Sequence, residues 1–222
     1  MTRTKRDALF ALERISEVCS ETMDGKIDNR VRQTRAALLR ALPALMSERG
    51  YERITIQNVI ERAKVGRATF YAHFGSKDDL LAGSVGHLRT WLIQACRETP
   101  DQRMGFTLPL FQHLASHAAM YEKSIARPDE VSVERHIRQM LTGLVRDDLA
   151  HRRGQSHDAS SIDLAVQYVV GALWSIIVWW MESGMRLSPE DINTLFQRLA
   201  FPGLDLTLGE KLPALVATHA RK

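Results

Sequence analysis

The sequence predicts an all-α protein in which a small N-terminal three-helix head precedes a longer helical bundle. Helical periodicity recurs along the chain, and strand-like alternation is almost absent. The 222 residues are 45% hydrophobic and 25% charged, with 13 Gly and 7 Pro, which excludes a wholly disordered or collagenous chain and allows a core that needs no covalent staple. The charge is laid down unevenly. Residues 29–80 carry ten basic and five acidic side chains, residues 1–28 five and six, and residues 81–222 fifteen of each, so one stretch supplies the whole surplus behind the net +4. A polyanion-binding module and an Arg-rich solvated surface fit that charge equally well. The chain is accordingly read as an N-terminal extension (1–28), a cationic head (29–80) and a neutral body (81–222).

The periodic pattern opens over 28–49, where Val31, Leu38, Leu42, Leu45 and Met46 share a stripe and Gly50 supplies a stop. Pro43 falls inside that helix and is expected to kink it. Thr55 is a good N-cap for a second helix with Ile56, Val59, Ile60 and Ala63 on its buried face. Lys64-Val65-Gly66 breaks the pattern. A short helix from Arg67 to His73 follows, with Phe70 and Phe74 inward. Ser76 and Asp79 form a near capping box that starts the next helix, and Leu81, Val85, Leu88 and Leu92 carry it toward Pro100.

Further helices are expected over 104–126 and 130–151, separated by Arg127-Pro128-Asp129, then a polar loop from His151 to Ser161. A long apolar helix runs from Ile162 to about Gly184. The last clear one spans 189–200, opened by Ser188-Pro189-Glu190-Asp191 and ended by Pro202-Gly203. The tail to Lys222 has room for one further turn or two.

Two short helices joined by a tight turn with a Gly at the joint describe a helix-turn-helix, whose second helix enters the major groove of DNA. Gly66 either lets the chain turn steeply or lets a phosphate or base come close. Arg67 has the fork to read guanine, and Gln57 the amide to read adenine. Thr69 suits a thymine methyl or a phosphate, while Tyr71 and His73 suit phosphate oxygens. Thr55 is placed in the same DNA-facing set. Lys77 follows a helix N-cap, where the helix dipole disfavours a cation and a bound phosphate would reverse that sign; the competing reading has Asp78 and Asp79 neutralise the position.

These residues also carry a resemblance. Arg49-Gly50-Tyr51, Ile54-Thr55-Ile56, the run from Gly66 to Phe74 and the run from Ser76 to Leu81 resemble the DNA-binding domain of the TetR family of bacterial transcriptional regulators. The resemblance implies that Tyr71 and Lys77 hold phosphates, that Gln57, Arg67, Gly66 and Thr69 face bases, and that two copies join through their last helices. Pro43 and the 28-residue extension, read as an added helix or a basic arm, depart from the commonest pattern.

In the body, residues 164–181 form 18 uncharged positions, the threshold for a membrane span. Gln167, Tyr168 and Ser175 within it, and Asp163 and Glu182 without a basic flank, favour a core or dimer helix. Leu173, Ile176, Ile177 and Trp180, with Ile192, Leu195, Phe196 and Leu199 of the last helix, are the expected dimer face. His113 and His117 stand four apart, as metal ligands can, but no nearby carboxylate or thiol completes a site. Trp91, Met120, Tyr121, Trp174 and Trp179 suit either core or an apolar pocket.

The expected function is a regulator, in the sense of a repressor, that binds double-stranded DNA as a homodimer and is released by a small apolar effector, with no cofactor, no metal and no membrane partner. The alternatives are a small-molecule-binding or membrane-associated helical protein without sequence-specific DNA binding, and an enzyme. Against the enzyme stand the missing Gly-rich phosphate loop and nucleophile elbow. Cys19 and Cys96, far apart, form no CxxC, so neither a disulfide framework nor a zinc finger is expected. Glu13, Arg14 and Glu17 interrupt the apolar positions of the N-terminus, so no signal peptide is expected and the cytoplasm fits best.

Overall fold

The structure, a computed structural model, describes residues 27–97, 102–123, 131–151 and 159–209. The head comprises α1 (Ile27–Arg49), α2 (Ile56–Ala63), α3 (Arg67–His73) and the start of α4 (Lys77–Arg97). The body continues through α5 (Thr107–Ser116), α6 (Ala118–Glu122), α7 (Val131–His151), α8 (Ala159–Glu182) and α9 (Pro189–Gly209). The expected extension up to residue 26, the breaker at 127–129, most of the polar loop after His151 and the tail past residue 209 lie outside the described residues.

The head closes around one apolar cluster. Leu38, Leu42, Leu45 and Met46 of α1 meet Val59 and Ile60 of α2, Phe70 of α3, and Phe74, Leu80 and Leu81 beside it, all buried. Each fully buried side chain of this size contributes about 1.5–3 kcal/mol. Val31, expected on the same stripe, is 46% exposed because it lies about two turns before Leu38, where the buried face of α1 begins. Pro43 does not end α1, and the Ser47 hydroxyl donates to the carbonyl of Pro43 at 3.0 Å. Gly50 closes the helix with φ +78°, its N–H donating to the Met46 carbonyl at 3.0 Å.

Two further boundaries differ from expectation. The helix expected over 104–126 is two. His117 takes φ −120° and ψ 26°, and its N–H is shared between the carbonyls of His113 and Leu114, so α5 ends and α6 begins around it. Pro202-Gly203 does not end the last helix, which runs on to Gly209. Pro202 lacks only the N–H directed at the carbonyl of the exposed Arg198, and buried Leu204 holds the next turn in the core.

In the body, α8 packs on α7 and α9, with Val166, Val169, Leu173, Ile177 and Trp180 facing inward. Trp180 meets Phe111 edge-on at 5.5 Å and donates from its indole to the Leu187 carbonyl. Residues Ser161–Glu182 are long and apolar enough, by composition, to cross a membrane, and in this fold they form the helix against which α7 and α9 pack. Thr107 and Asn193, both buried, share a 2.6 Å hydrogen bond that ties α5 to α9. The head–body boundary drawn after residue 80 falls inside α4, so an unbroken helix joins the two. Gly83 of that helix lies so close to α1 that an added Cβ would stand 3.1 Å from the Phe74 ring and 3.3 Å from Leu39.

The expected dimer face needs correction. Leu173, Ile177, Trp180, Ile192 and Phe196 are 0–2% exposed within the single chain, packed in its own core, and have no surface to offer a partner. Ile176 is half-buried. Leu195 and Leu199 are exposed, and the outward apolar stripe continues on α8 through Leu164, Tyr168 and Trp179.

Candidate nucleic-acid interface

Local chemistry builds the two short helices. The Thr55 side chain accepts from the Asn58 N–H at 3.2 Å while the Asn58 side chain accepts from the Thr55 N–H at 3.1 Å, a complete capping box at the start of α2. The helix ends on Lys64, held left-handed at φ 55°. Gly66 itself takes φ −78°, open to any residue, so the steep turn belongs to Lys64 and the first reading of Gly66 falls. An added Cβ at Gly66 would meet only the Thr69 hydroxyl, at an ordinary 3.7 Å. The fold therefore places no steric demand on glycine at this position.

The third helix is held by its apolar side and offers the rest. Phe70 is buried and Phe74, just past the end, is 2% exposed; their rings lie 6.2 Å apart. Arg67, Ala68, Thr69, Tyr71 and Ala72 are all exposed. The two exposed alanines keep this face slim, which suits a helix about 10 Å across entering a groove about 12 Å wide. The Arg67 guanidinium lies 5.9 Å from the centre of the Tyr71 ring, so the two stand side by side one turn apart. Lys64 and Arg53 add exposed cations at the turn and before α2.

Several expected contacts are engaged within the fold. The Lys77 ammonium donates to the Tyr51 carbonyl at 3.0 Å, lies 4.1 Å from the Tyr51 ring centre, and sits 3.9 Å from a Glu52 carboxylate oxygen. The expected free cation at the helix start is therefore drawn back onto the α1–α2 connection, and neither of the sequence readings anticipated that. Ser76 and Asp79 cap α4 as expected, except that the Asp79 carboxylate accepts from Gly75 rather than from Ser76. Gln57 is exposed on α2 and donates to Glu61 at 2.7 Å. The Thr55 hydroxyl oxygen serves as a cap, although the residue remains exposed. His73 is half-buried, and its carbonyl accepts from Arg35 at 3.3 Å. Arg62 and Arg49 pair with Glu48; the Arg62 hydrogen bond is the main reason the Glu48 carboxyl sits below its ordinary range.

Sequence reasoning missed Arg35, which reaches 38 residues along the chain to the end of α3, and Tyr51, which seats Lys77. Neither carries a local signal, because both act through tertiary contacts. In the body, His113 shares a 3.1 Å hydrogen bond with the Tyr121 hydroxyl, and His117 Nδ1 lies 2.9 Å from the His113 carbonyl. Among the described residues no three potential metal ligands come together. A cleft of about 340 Å³ opens between α4 and α5, lined by Trp91, Gln94, Ala95, Leu108, Pro109 and Gln112, and among the described residues its lining is uncharged.

Comparison with known proteins agrees with this geometry. Residues 38–83 match bacterial regulatory proteins of the tetR family, and residues 104–201 match a transcriptional regulator C-terminal region. The repressor KstR of Mycobacterium tuberculosis is 27% identical over 180 residues, covering 63% of this chain and 82% of KstR. The regulator YxbF of Bacillus subtilis is 36% identical over 77 residues, 34% of this chain but only 18% of its own length. A TetR transcriptional regulator from Streptococcus agalactiae shares the fold, with a TM-score of 0.59 at 22% identity over 78% of this chain and 96% of that one. The head with its outward α3, the helical body and both matched regions make the chain a member of the TetR family of bacterial transcriptional regulators, DNA-binding proteins rather than enzymes.

Proposed function

We propose that the chain is a repressor that binds a palindromic operator as a homodimer and is released by a small, apolar effector. The observation that carries the reading is α3 itself: a helix anchored by two phenylalanines that turns Arg67, Thr69 and Tyr71 outward between alanines. Arg67 and Thr69 read base edges, Tyr71 donates to phosphate, and Gly66 admits the DNA backbone or a base closely. Gln57 and Thr55 border the same face from α2, and His73 its far end. Lys77 acts by fixing the α1–α2 connection rather than by reaching out.

The outward apolar stripe of Leu164, Tyr168 and Trp179 on α8 with Leu195 and Leu199 on α9 suits an isologous contact in which two helices from each copy form a four-helix interface. Such a pair sets two α3 helices about one turn of DNA apart. The repressor sense follows the named repressor KstR. The effector reading is supported by the α4–α5 cleft, where Trp91, Ala95, Leu108 and Pro109 present apolar surface. A Bacillus subtilis FadR of the same fold, with a TM-score of 0.52 at 14% identity over 75% of this chain and 97% of that one, was crystallised with stearoyl-CoA. On this reading the protein acts on DNA in the cytoplasm, with α8 a core helix and no membrane partner.

The test is selection of genomic fragments by the full-length protein, then anisotropy titration of the recovered sequence. A symmetric site bound with a steep salt dependence is the expected result. Equal retention of every duplex would refute the assignment.

A further inference from the structure

The last carbonyls of a helix have no partner within it and form the negative end of its dipole. At the end of α1 the accounting is specific. The Met46 carbonyl accepts from Gly50, and the next two carbonyls accept from a residue of the body: Lys123 Nζ donates to Ser47 O at 2.6 Å and to Glu48 O at 3.0 Å. Lys123 immediately follows α6 and is only partly exposed. A side chain of the body thus holds the point where α1 hands over to the turn leading into α2 and α3.

The helix that ends on this lysine, α6, has five residues, too few to stand alone, and is placed by what it touches. Met120 and Tyr121 are buried, and the helix packs on α1, α5 and α8. The Tyr121 hydroxyl is joined to His113 of α5, whose ring lies 5.6 Å from that of Trp91, and Trp91 forms part of the α4–α5 cleft. An unbroken series of contacts therefore runs from the cleft through Trp91, His113, Tyr121 and Lys123 to the end of α1.

We propose that Lys123 is the positioning residue through which the body fixes the head, and that filling the α4–α5 cleft shifts α6 along this series and withdraws the ammonium from the α1 carbonyls. The second half rests on the effector reading above; the first does not. In it Lys123 acts on DNA binding without touching DNA.

The experiment is amide hydrogen exchange on the full-length protein without DNA, read at residues 46–50. Lys123→Met keeps the aliphatic stem and removes the donor; Lys123→Arg restores it. Ala95→Phe fills the cleft in place of a ligand, with Leu108→Trp as a second filler. Lys123→Met is expected to speed exchange there by about tenfold, the scale of one lost charge-assisted hydrogen bond, and Lys123→Arg to reverse most of that. A cleft filler is expected to speed the same amides in the wild-type background and to add nothing in the Lys123→Met background. Unchanged exchange in Lys123→Met would overturn the clamp, and equal increments from the filler in both backgrounds would overturn the route from the cleft. Because no DNA enters the measurement, failure of the wild-type protein to select an operator refutes the regulator reading separately and leaves the clamp to be decided by these amides.

Discussion

Arg35 and Phe74 join the middle of α1 to the end of α3: the guanidinium lies 4.5 Å from the ring centre, and Nη1 donates to the neighbouring His73 carbonyl at 3.3 Å. One side chain therefore satisfies a terminal carbonyl of α3 and covers the aromatic anchor that sets its depth. Arg35→Met keeps the apolar stem and loses both contacts. It is expected to lower head stability by about 1 kcal/mol and weaken binding of the selected operator severalfold. Urea unfolding and anisotropy on the same preparation check the two effects.

Lys77 and Arg67 should separate in kind. Lys77→Met removes the hydrogen bond to Tyr51 and the ammonium over its ring, so the expected cost is about 1–2 kcal/mol of stability measured by chemical denaturation. Arg67→Ala leaves stability nearly unchanged and relaxes preference at one base position, by about 1–3 kcal/mol against the unsubstituted site in binding to a set of single-base variants. Uniform weakening on every variant would assign Arg67 to phosphate instead.

Leu199 is 68% exposed on α9 beside Leu195. Leu199→Glu is expected to leave the fold intact, since the residue lies outside the core, and to convert dimer to monomer in sedimentation at micromolar concentration. Operator affinity should fall with it, because a monomer reads one half-site. A monomeric wild-type protein would remove the basis for the palindrome.

Burial and, after it, the nearby His117 hold His113 well below its ordinary value of 6.5, at about 3. Unfolding releases a histidine that protonates near 6.5, so between about pH 6.5 and 3 the unfolded chain binds the extra proton. Stability from this group is intact above that window and is lost as pH falls through it, at up to about 1.4 kcal/mol per pH unit. His113→Gln should flatten the acid side of the stability curve relative to wild type while costing some stability at neutral pH. Parallel curves from pH 7 to 4 would mean that other groups control the acid limb.

Most of the head was legible because its signals are local. The Thr55 cap, the apolar spacing of α2, the Phe70–Phe74 pair and the Gly50 stop each depend on neighbours within a few residues. What escaped is tertiary. Lys77 follows Ser76 as expected, but only the fold brings the Tyr51 ring and carbonyl to it, and Arg35 is linked to His73 only once α1 and α3 pack. The steep turn, one of the two roles the sequence offers for Gly66, falls instead to Lys64, which takes the left-handed conformation. In the body, an almost wholly apolar α8 gave no contrast between its faces, so Leu173 and Ile177, which face inward, were indistinguishable from residues on an outer surface. The stop expected at Pro202 does not occur, since proline there costs the helix only the N–H directed at the carbonyl of Arg198.

The continuity of α4 has a mechanical consequence. Its 21 residues extend roughly 30 Å from the cap beside α3 to the wall of the cleft. A rod of that length turns a tilt of about five degrees at its cleft end into a sweep of roughly 2–3 Å at the other, given 1.5 Å of rise per residue. In the proposed dimer two such rods would move in opposite senses, so their displacements would add across the twofold axis. On the proposed function, a small wedge near Trp91 would thereby be geared up to a separation error of several ångströms between reading heads, with no need for any helix to melt.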